Sequence, residues 1–271
     1  MSGLSAAVLA VIGLANGVIG ACIGICGIAG FLLPMLYTGA LGYDVDRALA
    51  YSFLAFLVSG CIGSFYYHKQ GNLDVSMSVK LGAGSLIGAV LGVFLQSFIA
   101  KDTVKVILYV VVLFSGVSIL LRMWKEKKSA EETLAAKQAG GGTEIIIKQK
   151  KLTDSMVFLV ALGVITGAIC SLSGAGGPVL VMPLLVVFGV SARAAVGVAL
   201  FDSVFIAVPA CAGYLSRIDW KAAFGVLALI VATHGVGVWM GSRVASRVPV
   251  RALKLFVGVF SVGLSIYMLV F

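Results

Sequence analysis

Charge is scarce in this chain. Of its 271 residues only 11% are charged, where a soluble domain carries about a quarter. With 61% hydrophobic residues and a mean hydropathy of +1.11, that scarcity excludes an ordinary soluble domain. Chemistry-bearing residues are scarce too. There are only two histidines, no His-Glu-x-x-His and no His/Cys cluster at metal spacing, so nothing suggests a metal centre. The phosphate-cradling Gly-x-x-x-x-Gly-Lys-Ser/Thr is missing, which removes ATP as an energy source. Ser, His and Asp are present but with no nucleophile elbow, so no enzyme is expected. No Lys or Arg precedes the first apolar run, "MSGLSAAVLAVIGLANGVIG", so it lacks the basic start of a signal peptide and is expected to stay as a helix.

Apolar runs of about 20 residues recur along the whole length, and each can cross a hydrocarbon core as a helix. The expected fold is therefore an all-α polytopic membrane protein, in a bacterial-type plasma or inner membrane. A net charge of +9 is no sign of nucleic-acid binding, because eight of the twenty basic residues fall in one loop, Arg122–Lys151. Residues 122–153 read as a basic cytoplasmic linker between two membrane repeats, 1–121 and 154–271. The five cysteines all lie in apolar segments, as packing residues do.

The two halves resemble each other. "GICGIAGFLLPML" (24–36) matches "SGAGGPVLVMPLL" (173–185), with Pro34 opposite Pro183. "GNLDVSMSVK" (71–80) matches "SRIDWKAAFG" (216–225), with Asp74 opposite Asp219. If each Gly-rich stretch merely kinks a helix, each half has four crossings, the repeats are parallel, and basic residues split 12 inside to 8 outside. If the chain reverses there, each half has five segments, the repeats are inverted, and the split is 15 to 5. The positive-inside rule favours two inverted repeats with a Gly-broken helix and a short half-helix in each, some eight to ten membrane segments in all.

Irregular backbone at membrane depth is tolerated only when buried in protein or lining a wet cavity. Glycines free backbone N–H groups, and Pro178 suits the first turn of a new helix. Two inverted half-helices would bring two N-termini together near the midplane, an arrangement that suits an anion. Expected substrate contacts are Cys26, Gly27 and Ile28 in the first repeat and Ser173, Gly174, Ala175, Gly176 and Gly177 in the second. The alternative is close helix packing through small residues. Asp202 and His234 lie mid-helix at similar depth, as candidates for proton coupling or as a structural pair.

The Gly-rich break, the short apolar run ending in Pro, the helix start "GVSARAAVG" and the tandem repeat across a basic loop resemble the TauE/SafE sulfite exporter family. The resemblance spans nearly the whole chain and is better in the second repeat; the first has Ile28 and Ala29 where a run of glycines is usual. It implies a secondary transporter, an exporter or importer of a small sulfur-containing or organic anion such as sulfite or a sulfonate, with no bound cofactor. An anion channel built on the same break is the alternative reading. The partners expected are the anion and the lipid bilayer, with no nucleic acid and with the choice between monomer and homodimer open.

Overall fold

The computed structural model describes residues 6–27, 29–100, 155–245 and 249–270, together with Arg247 and scattered helical positions between 102 and 124. The linker expected over 122–153 falls almost wholly outside the described residues, as does Ile28. Every described element is helical. In chain order they are α1 (Ala6–Cys26), a short α2 (Ala29–Ala40, which passes from 3-10 through α to π geometry), α3 (Val45–Lys69) and α4 (Val75–Gln96). After the linker come α5 (Met156–Ser173), α6 (Gly177–Val187), α7 (Ala192–Leu215), α8 (Trp220–Val244) and α9 (Val250–Val270). Six of these (α1, α3, α4, α5, α7 and α8) are long and apolar enough to cross a membrane, and α2 and α6 are too short to do so.

Short polar side chains start most of the long helices. Asp44, Asp74, Ser155, Ser191 and Asp219 each accept a backbone N–H from the first turn, satisfying a donor that the helix itself leaves orphaned. Asp74 and Asp219, matched in the sequence, thus do the same job in the two halves.

Glycine then decides how the helices pack. Between apolar surfaces in lipid the hydrophobic effect gives no net drive, so close backbone approach has to supply it. Gly84, Gly88 and Gly92 of α4 lie against the backbone of α5, and a Cβ at the first two would strike the carbonyls of Val160 and Val164. Gly20 and Gly24 of α1 lie equally close to α8, where a Cβ at either would come within 2.6 Å of the His234 or Val238 carbonyl oxygen. The first helix of each half therefore packs on the fourth helix of the other half, and α3 packs on α7 at the centre.

Contacts along each pair give chain direction. α1 and α8 run the same way, since Gly13 meets Leu229 and Thr233 while Gly24 meets Val238 and Ser242. α4 and α5 also run together. α3 and α7 run oppositely: Phe53 stacks on Tyr214 at 5.6 Å, Gly60 meets Ser203, and Gly197 meets Tyr67 and Asn72. Phe158 at the start of α5 packs its ring on Phe188 at the end of α6, 4.9 Å between centroids. The ends of α3 and α8 and the start of α7 therefore share a face with the chain emerging from the linker, called here the linker face. Asp46, Gln96 and Arg217 mark the opposite face.

Candidate functional site

Both first helices end on a glycine in the left-handed region, which favours a residue without Cβ. Gly27 has φ 74° and Gly174 has φ 75°, and the N–H of each bonds the carbonyl four residues back, of Ile23 and Cys170, at 2.8 Å. This backbone equivalence places Gly27 opposite Gly174, two residues away from the register that paired Pro34 with Pro183. The second break is one residue longer, from Gly174 to Gly176, and that extra residue accounts for part of the slip.

The two breaks meet. A Cβ built at Gly27 would lie 3.4 Å from Cβ of Pro178, and one at Gly174 would lie 3.5 Å from Cβ of Pro34. Each break thus packs against a proline of the other half's short helix. Between them stands Phe56, a buried ring on α3. It would be met at 3.0 Å by a Cβ at Gly30 and at 3.2 Å by one at Gly176. Gly177 in turn lies against Ser203 of α7: a Cβ built there would lie 3.1 Å from its Cα.

Around the second break the polar accounting is incomplete in an informative way. Ala175 N–H donates to Ser173 Oγ at a long 3.4 Å, while that hydroxyl bonds Ile169 O at 2.7 Å. Cys170 Sγ donates to Gly176 O at 3.3 Å. The N–H groups of Gly176 and Gly177 find no acceptor among the described residues, although both glycines are buried. A buried, unpaired N–H is rare, so this is a place where a ligand or ordered water would bond.

Asp202 lies one residue before Ser203 and is fully buried. Neither carboxylate oxygen has a hydrogen-bond partner of sound geometry among the described residues, although Ser85 of α4 approaches it and Cys170 is in electrostatic reach. His234 is buried on the other side, against α1, with Nδ1 3.1 Å from Asn16 O. A carbonyl only accepts, so Nδ1 carries the proton there and Nε2, which has no partner among the described residues, is left as an acceptor. The Asp202 and His234 side chains are held by different helix pairs and make no bond to each other. Of the eight expected binding residues, Gly27, Gly174, Ala175, Gly176 and Gly177 gather at the junction of the breaks, Ser173 braces it, and Cys26 opens onto a pocket on the linker-face side.

Sequence reasoning missed two tyrosines. Tyr67 Oη donates to Ile25 O at 2.9 Å and Tyr214 Oη donates to Ser171 O at 2.8 Å, each satisfying a carbonyl freed just before a break. The signal was available: both sit at the same place in the repeat, near the end of its third helix. Phe56 carried no such signal.

A family model for "Sulfite exporter TauE/SafE" matches residues 9–268. The chain belongs to the TauE/SafE sulfite exporter family. It is accordingly a multi-pass membrane transporter and not an enzyme. A probable membrane transporter protein, YdhB of Bacillus subtilis (strain 168), is 23% identical over 250 residues, covering 91% of each chain. No solved structure matches.

Proposed function

We propose that this chain is a secondary transporter that moves a small sulfur-containing or organic anion, such as sulfite or a sulfonate, out of the cell. We further propose that the two halves are inverted repeats and that transport is coupled to protons through Asp202 or His234. The observation that carries the reading is the junction of the two breaks, where Gly176 and Gly177 offer buried, unpaired N–H groups beside the start of α6. The opposite run of α3 and α7, equivalent helices of the two halves, supports inversion. The Phe56 ring packed between the breaks favours a carrier that occludes its substrate over an open anion channel.

The test is a thermal-shift screen of the purified protein against sulfite, thiosulfate, sulfonates, sulfate and small carboxylates, since a ligand that favours the native state raises its stability. Saturable counterflow of the hit in proteoliposomes is expected, and single-channel currents would replace this reading with a channel. For coupling, Asp202→Asn mimics a permanently protonated acid. It should abolish accumulation driven by a pH gradient while counterflow at uniform pH continues. If both transport modes and expression fall together, Asp202 is structural; if the variant still accumulates substrate, coupling is not through Asp202.

A further inference from the structure

A groove of about 580 Å³ runs between α3 and α8. Cys61, Ile62 and Phe65 of α3 and Gly235, Val236 and Trp239 of α8 line it. Cys61, Phe65, Val236 and Trp239 are exposed, so the groove is open to the bilayer. The helices come together at its deep end, where a Cβ at Gly235 would lie 3.4 Å from Val58 and 3.5 Å from Ile62. At 1.5 Å per residue, Gly235 is about 14 Å below Val244, the last residue of α8.

The shallow end carries cations. Both helices finish on the linker face, tied by Gln70 Nε2 donating to Ser242 O at 2.9 Å. Lys69 and Arg243 stand next to that tie in sequence. Lys69 follows Phe65 at i+4 and Arg243 follows Trp239 at i+4, so each continues the stripe that lines the groove. The Arg243 guanidinium lies over the Trp239 ring, 4.8 Å from its centroid. Both cations are exposed, and neither pairs with a described carboxylate. Among the described residues Asp74 is the carboxylate at this face; it caps α4 at Met77 N–H, and α4 packs on α5 and α7. The repeat does not preserve this arrangement. The spacing that pairs cap Asp44 with Ser191 and cap Asp74 with Asp219 sets Lys69 against Ser216 and Arg243 against Phe98. It also sets Tyr66 against Gly213, where a Cβ would come within 2.5 Å of Val93. The equivalent pair, α7 and α4, thus closes on itself without cations, while α3 and α8 stand apart beneath two of them.

We propose that the groove holds one acidic phospholipid of the linker-side leaflet, an acyl chain lying along Phe65, Val236 and Trp239 and the phosphate between Arg243 and Lys69. An apolar chain alone would need no cation, and a soluble anion would need no apolar groove of this depth. A lipid with an anionic head uses both. Aromatic residues with Lys and Arg just beyond them mark headgroup level, and basic pockets between membrane helices suit acidic headgroups.

The test uses the fluorescence of Trp239 in the full chain, with Trp124 and Trp220 replaced by Phe, in phosphatidylcholine vesicles. A minor fraction of the lipid is exchanged for acyl-brominated phosphatidylglycerol or for acyl-brominated phosphatidylcholine, and quenching is compared. Two cations at the headgroup level should favour the anionic lipid by on the order of tenfold. Arg243→Gln combined with Lys69→Gln should bring quenching by the brominated phosphatidylglycerol down to that by the brominated phosphatidylcholine, and Arg243→Lys should keep the preference. Raising the salt concentration should weaken the preference in the unsubstituted cations' background, a readout that needs no variant at the site. Equal quenching by the two lipids, or a preference that survives the double substitution, would overturn the site. Quenching by neither lipid would show that protein covers the groove, and oxidative cross-linking of two chains through Cys61 would name a second copy as the occupant; either result would overturn the lipid assignment.

Discussion

Gly176 holds φ at 77° and faces the Phe56 ring with no room for a branched side chain. Gly176→Val should therefore cost function twice over, through a backbone conformation that β-branched residues avoid and through displacement of the ring between the breaks. Expected is transport below a tenth of wild type in counterflow, with the protein still reaching the membrane as judged by blotting membrane fractions. Near-normal transport would remove the break from the binding site. Phe56 itself was not legible in the sequence, because one phenylalanine in an apolar helix looks like any other. The glycines were legible, since three of them followed by Pro178 interrupt helical hydrogen bonding within one short apolar stretch. Asp202 and His234 were legible as buried polar groups but not as neighbours of anything: the depth of a residue can be read from its place in an apolar run, whereas the helix it faces depends on packing that the run does not encode.

At the scale of elements, the pairing of α4 with α5 depends on a glycine ridge. Gly88→Leu would push its side chain into the Val164 carbonyl and the Ala168 N–H, so the helices must separate. Overpacking costs roughly 1–3 kcal/mol where the surroundings can give, and backbone gives less than side chains do. The variant should melt several degrees lower in detergent, and an unchanged melting temperature would show that the two helices are not in tight contact. Helix limits were readable to within a few residues, because apolar length, capping Asp and Ser, and Gly or Pro punctuation agree at nearly every boundary. Val75 and Trp220 begin their helices directly after Asp74 and Asp219, and Gly177–Val187 begins at the glycines just before Pro178. Partner choice was not readable. Small residues say that a face packs closely but not against which helix, so the exchange of first helices between halves could not have been drawn from the repeat alone.

For the molecule as a whole, the 15-to-5 distribution of basic residues supports the proposed topology with the linker inside, and the opposite run of α3 and α7 is consistent with the proposed inversion. A cysteine at Asp219, in a background without native cysteines, should label from outside in intact cells, and one at Asn72 only after permeabilisation. The reverse pattern would put the linker outside. The exchange of partners also bears on how the protein is made. α1 is synthesised first, but its partner α8 begins only at Trp220, near the end of the chain. At about 5–20 residues per second, the glycine face of α1 waits on the order of 10–40 seconds in the bilayer before its counterpart arrives. During that interval the nascent N-terminal half is an unfinished object with a sticky flank, open to insertase, chaperone or protease, and a chain truncated before α8 leaves that flank bare for good.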